Sequence, residues 1–182
     1  YSNTGINGVL SGHARVYKWI GGIWIQKGND IDGEASNDQS GFCLDMADSN
    51  TLAIGAFGNY GNNGVASGHV RVYSWDGNVW TQKGNDIDGK ALNDLSGFSV
   101  NMPYSNTIAI GAIGNDGGGA DAGHVRIYTY DGIDWIQKGL DIYGEDAGDN
   151  SGWYVCMPDT NTIAIGANSN SGNGNYAGHV RI

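Results

Sequence analysis

The sequence predicts an all-β repeat fold of stacked four-stranded antiparallel units, and two observations carry that reading. The segment Gly12-His13-Ala14-Arg15-Val16-Tyr17 returns as Gly68-His69-Val70-Arg71-Val72-Tyr73 and as Gly123-His124-Val125-Arg126-Ile127-Tyr128. A shorter copy, Gly178-His179-Val180-Arg181-Ile182, ends the chain, and the histidines stand 56, 55 and 55 residues apart. The second observation is that the repeated segment alternates polar and apolar residues with period two, and nothing in the repeat has helical periodicity.

The rest of the unit repeats as well. Trp24-Ile25-Gln26-Lys27-Gly28 matches Trp80-Thr81-Gln82-Lys83-Gly84 and Trp135-Ile136-Gln137-Lys138-Gly139, and residues 51–56 match 107–112 and 162–167. Three full units of about 55 residues follow, at 12–67, 68–122 and 123–177. A partial unit at 1–11 precedes them, and 178–182 begins a fourth.

In the second unit the elements read in order. The His strand comes first and closes on the Asp76-Gly77 turn. A second strand runs from Trp80 toward Ile87. The third is Phe98-Ser99-Val100-Asn101-Met102, with Phe, Val and Met on one face. The fourth, Ile108-Ala109-Ile110-Gly111-Ala112, is apolar on both faces and belongs inside a sheet. The Gly/Asn-rich loop 114–122 returns to the next His strand through residues that tolerate positive φ.

Four antiparallel strands per unit is the blade of a β-propeller. A lone sheet cannot bury both faces, so neighbouring units must stack. A closed ring takes about four to eight blades, so three units and a fraction are expected to need further repeats or self-association, in rings or filaments.

Composition narrows the function. The 182 residues carry 19 Asp and Glu against 9 Lys and Arg, a net charge of −10, which repels phosphate backbones, so no nucleic-acid partner is expected. No apolar run approaches the ~20 residues of a membrane helix, so no membrane insertion is expected. A first residue of Tyr rather than Met suggests a processed product or part of something longer.

The ordered recurrence resembles the FG-GAP-type repeats of integrin α-chain propellers and of many secreted microbial proteins. Ser96-Gly97-Phe98-Ser99-Val100 is similar to the phenylalanine–glycine segment of that family. Residues 107–112 are similar to its glycine–alanine–proline end, without the proline, and the His strand to its glycine–x–valine–tyrosine strand. The resemblance implies a propeller with an extracellular or cell-surface role in structure, adhesion or binding. The family's calcium loop does not carry over, because the connections at 47–50, 103–106 and 158–161 are tight turns.

An acidic cluster lies elsewhere. Asp30, Asp32, Glu34 and Asp38 stand at positions 1, 3, 5 and 9 of a Gly-containing turn, a spacing that offers oxygen ligands to calcium. Against this, the sister units carry Lys90 and Tyr143 within the pattern. Asp38, Asp94 and Asp149 would then be turn residues that hydrogen-bond the following Ser-Gly backbone.

The four histidines, one per unit, are expected to make a hydrogen bond at a strand end; no pair lies three to five residues apart, as zinc sites of the two-His kind require. Trp24, Trp80 and Trp135 should pack between blades. Trp19, Trp75 and Tyr130 end the first strands, and would either pack at the rim or stack on sugars in a lectin-like glycan site. Cys43 and Cys156 stand at non-equivalent positions of units one and three, with a whole unit between them, which argues against a disulfide. No Asn-x-Ser/Thr sequon is present. No nucleophile elbow or phosphate loop occurs, so the expected protein is not an enzyme and requires no cofactor.

Overall fold

A computed structural model describes residues 3–182; Tyr1 and Ser2, the start of the leading partial unit, lie outside the described residues. The described chain is all-β. Its strands are β1 (His13–Ala14), β2 (Tyr17–Ile20), β3 (Ile23–Gln26), β4 (Ile31–Asp32), β5 (Cys43–Asp48), β6 (Thr51–Ala56), β7 (His69–Trp75), β8 (Trp80–Gln82) and β9 (Ile87–Asp88). They continue as β10 (Ser96–Tyr104), β11 (Thr107–Ala112), β12 (His124–Tyr130), β13 (Trp135–Gln137), β14 (Ile142–Tyr143), β15 (Tyr154–Cys156), β16 (Ala164–Ala167) and β17 (His179–Arg181). Among the described residues no helix is long and apolar enough to cross a membrane.

Every pairing between these strands is antiparallel. The two complete sheets run β5-β6-β7-β8 and β10-β11-β12-β13, with β9 on β7 and β14 on β12. Each sheet therefore joins the last two strands of one sequence unit to the first strands of the next. Before them, β1 pairs β4 and β2 pairs β3; after them comes β15-β16-β17.

The expected second strand is broken in two. Trp80–Gln82 pairs with the end of β7, at Trp75 and Tyr73, while Ile87–Asp88 pairs with its start, at Val70 and His69. Between them Gly84 takes a φ of 76°, a left-handed conformation that costs glycine least. The Gln82 amide spans the detour, donating to the Gly84 carbonyl and to Asp86 at 2.7 Å.

Alternation along the buried strands builds three repeated cores. Leu52 and Ile54 of β6 turn toward Ala14, Val16 and Ile31, with Tyr73 in the same cluster. Ala53, on the opposite face, joins Val70 and Val72 against Ile108, Ile110 and Met102 of the next sheet. Ala109 and Val125 then meet Ile165 and Met157. The fourth strand thus puts its large side chains on one neighbour and its small ones on the other. Small residues are needed there: a Cβ on Gly55 or Gly111 would strike the carbonyl of Gly97 or Gly152 in the next sheet. Burying an Ile of this kind stabilises the stack by about 1.5–3 kcal/mol.

Polar side chains lock the same interfaces. The Asp45 carboxylate accepts from the Met102 amide at 2.6 Å and from Asn101, whose own carbonyl oxygen accepts from the Met157 amide at 2.6 Å. Phe42, Phe98 and Trp153, equivalent by sequence, form a ladder across the sheets with ring centroids 5.0 and 4.8 Å apart.

Candidate functional site at the first junction

The chemistry gathers where the His strand of one unit meets the turn of the unit before it. β7 presents His69 and Arg71 on one face by its period of two. Arg71 donates to the Asp32 carbonyl at 2.8 Å, tying β7 to the end of β4. Just beyond, Glu34 and Ala35 donate their amides to the Asp38 carboxylate, each at 2.8 Å, which fixes the turn and aims Glu34 back at β7.

Three potential ligand atoms converge there. His69 Nδ1 lies 3.6 Å from Asp86 Oδ2 and 3.9 Å from Glu34 Oε2, and Arg71 reaches the other Glu34 oxygen at 3.4 Å. Among the described residues, Glu34, His69 and Asp86 form the one group of three His, Cys, Asp or Glu placed closely enough to share a metal ion. They line a surface cavity of about 370 Å³ together with Asp88.

Burial shapes the electrostatics. The His69 ring is 1% exposed. Burial, helped by Arg71, holds its pKa down to about 4 against the opposing pull of Asp86, so the imidazole is neutral. Burial also raises the carboxyls of Glu34 and Asp88, with Asp86 adding repulsion to both. The His69 Nε2 has no hydrogen-bond partner.

The second junction has the same plan and different charge. Lys90 replaces Glu34, and its ammonium sits 2.7 and 2.9 Å from the two oxygens of Asp141, the equivalent of Asp86. His124 Nδ1 lies 3.5 Å from Asp141 Oδ2. Burial opposes ionisation of Asp141, yet hydrogen bonds from Lys90 and Gln137 outweigh it and bring the carboxyl down to about 2. Tyr143 stands where Asp88 stood. At the third junction Glu145 returns, 3.4 Å from His179.

The four carboxylates of the acidic turn have separate partners. Asp30 pairs with Arg15 at 2.8 Å and accepts from Gln26. Asp32 serves through its carbonyl on Arg71, and Glu34 faces His69. Asp38 is buried as a turn anchor that also accepts from Asn59 at 3.1 Å, a pattern repeated at Asp94 and Asp149. These aspartates bind amides three and four residues before them, not the Ser-Gly backbone that follows. The same unit-to-unit plan corrects the histidine expectation: neither ring nitrogen of His124 makes a hydrogen bond.

Trp19, Trp75 and Tyr130 each face the Trp of the paired strand, with centroids 5.3 Å apart. Trp19 is exposed, whereas Trp75 and Tyr130 are half-buried beneath Lys27 and Lys83 of the preceding unit. Cys43 and Cys156 are both free. The Cys43 thiol donates to the Gly97 carbonyl at 3.0 Å, as Ser99 does to Gly152 at 2.6 Å, and burial pushes its pKa up to about 12.

The grouping of His69 with Asp86 and Glu34 is absent from the sequence reading, because its members come from two units. The substitution of Lys90 for Glu34 within an otherwise shared pattern was the available signal. Comparison with known families finds no matching family model, and no curated protein matches the chain.

Proposed function

We propose that the chain is a non-catalytic, extracellular or cell-surface repeat module of β-propeller type. Its structural or adhesive role would rest on stacking sheets against further units of the same repeat. The carrying observation is a difference in burial at equivalent positions. Trp135 is 7% exposed and donates its indole N–H to the Lys83 carbonyl at 2.7 Å, while Trp24 is 66% exposed. Met102 is 3% exposed and Met46 40%. Side chains equivalent to those that close the interior junctions are thus left open on β3 and β5, at the start of the stack.

The opposite face matches it. A Cβ on Gly166 would meet nothing closer than 3.7 Å, and Val180 and Tyr154 are exposed. Such faces fit another copy of the unit, in the same polypeptide or in a second one. The resemblance to FG-GAP-type repeats and the packing of β10 against β5 on one side and β15 on the other support the blade reading.

Sedimentation velocity over a hundredfold dilution, with negative-stain microscopy, tests this. Rings or filaments that the Trp24→Ser/Met46→Lys double variant abolishes support the reading. If the chain remains monomeric, fusion of one added repeat should bury Trp24 and raise the melting temperature; a fusion that does neither overturns it.

One observation favours a second reading. Trp75 lines a surface cavity of about 460 Å³ beside Lys18 and Asn50, which suits a lectin-like glycan site. Saturable binding on a glycan array, lost in Trp75→Ala, would support it.

A further inference from the structure

We propose that Glu34, His69 and Asp86 form a binding site for one divalent first-row transition-metal ion, with zinc as the reference ion, at the first junction between units.

Geometry is the first argument. Metal bonds of about 2.0–2.2 Å at tetrahedral angles place ligand atoms roughly 3.3–3.5 Å apart. The His69 Nδ1 to carboxylate distances of 3.6 and 3.9 Å need to close by only a few tenths of an ångström. Neither carboxylate is within hydrogen-bond distance of that nitrogen, so the ring is buried, aimed at both oxygens and bonded to neither. One imidazole with two carboxylates is a mixed nitrogen and oxygen set that suits zinc or manganese better than calcium.

The second argument is internal to the molecule. At the second junction a cation already occupies this place: the Lys90 ammonium, bound to both oxygens of Asp141. There Lys90 and Arg126 face Asp141 and Asp94. At the first junction the lysine is a glutamate and Tyr143 is an aspartate, so Glu34, Asp38, Asp86 and Asp88 face Arg71 alone. Counting one charge per group with neutral histidines, the sites carry −3 and 0. A divalent ion offsets most of the first charge, and the adjoining cavity gives it access and room for water ligands.

The test is isothermal titration of the chelator-stripped chain with zinc chloride, followed by cobalt substitution, whose visible absorption reports a nitrogen and oxygen environment. One ion per chain is expected. Glu34→Lys copies the lysine of the second junction and should preserve the fold while raising the apparent Kd at least about a hundredfold, as loss of a direct ligand must exceed the 10–100-fold typical of a supporting group. His69→Gln should do the same and remove the cobalt band. The reciprocal Lys90→Glu/Tyr143→Asp variant should bind a second ion. Absence of zinc and manganese binding overturns the proposal, as does binding of calcium alone. Zinc binding that survives Glu34→Lys in a folded chain also overturns it.

Discussion

The first two junctions are copies of one arrangement that treat charge in opposite ways. In each, an arginine of the His strand reaches back 2.8 Å to a carbonyl of the preceding unit, and a buried histidine faces an aspartate. Lys90 neutralises the second junction from within. Glu34 leaves the first with an excess of carboxylates. The repeat therefore supplies the positions, and two side chains set the charge: Lys90 and Tyr143 at the second junction stand where Glu34 and Asp88 stand at the first. A similar contrast separates the interior faces from the outward ones, where Trp24 and Met46 show what Trp135 and Met102 bury.

The largest test of these contrasts is in the core. Met102→Ala should cost about 2–5 kcal/mol in urea unfolding, the range for a buried methionine. Met46→Ala, the same change on the open face, should cost less than about 1 kcal/mol. Equal losses would mean that Met46 is covered in solution.

Acid should act next, through the second junction. His124 is enclosed by Asp141, Arg126, Lys90 and Asp94, and burial followed by Arg126 lowers its pKa to about 4. The unfolded chain then binds the proton first as pH falls. The contribution is complete above the ordinary histidine pKa of about 6.5 and is lost between there and about 4, on the order of 2 kcal/mol. His124→Phe should flatten the dependence of the urea midpoint on pH across that window. An unchanged slope would show that the ring is solvated.

Lys90→Met should cost about 1–3 kcal/mol by stripping a charged hydrogen bond from Asp141, whose side chain is 4% exposed. In metal-free buffer Glu34→Met should be neutral or stabilising, since it removes a repelling charge. The same sign at both sites would remove the distinction between the junctions. The smallest effect belongs to Cys43→Ser, within about 0.5 kcal/mol, because Ser99 already makes the equivalent bond. A larger loss in calorimetry would give the thiol a role that the repeat does not explain.

Much of this was legible in the residues. The fourth strand, apolar on both faces, announced a sheet covered on both sides. Of the repeat-locked Trp24, Trp80 and Trp135, all expected to pack between units, Trp80 and Trp135 do so and Trp24 is exposed. The broken second strand was not legible, since the Trp80 to Ile87 segment reads as one run and only pairing of both pieces with β7 reveals the detour at Gly84. Nor was the convergence of Glu34 with residues 35 and 52 positions later. The acidic turn drew attention because its carboxylates are neighbours in sequence, yet tertiary packing gives each its own partner: Asp30 pairs with Arg15, Glu34 faces His69 and Asp38 anchors the turn.

The sequence by itself determined the β class, the unit that repeats and the order of its segments, because these rest on local alternation and on recurrence. Tertiary structure alone decided which strands share a sheet, which faces meet and which charges face each other. Those depend on stacking one unit on the next: it puts Lys90 on Asp141, sets Glu34 and Asp86 beside His69, and buries Trp135 while Trp24 stays open.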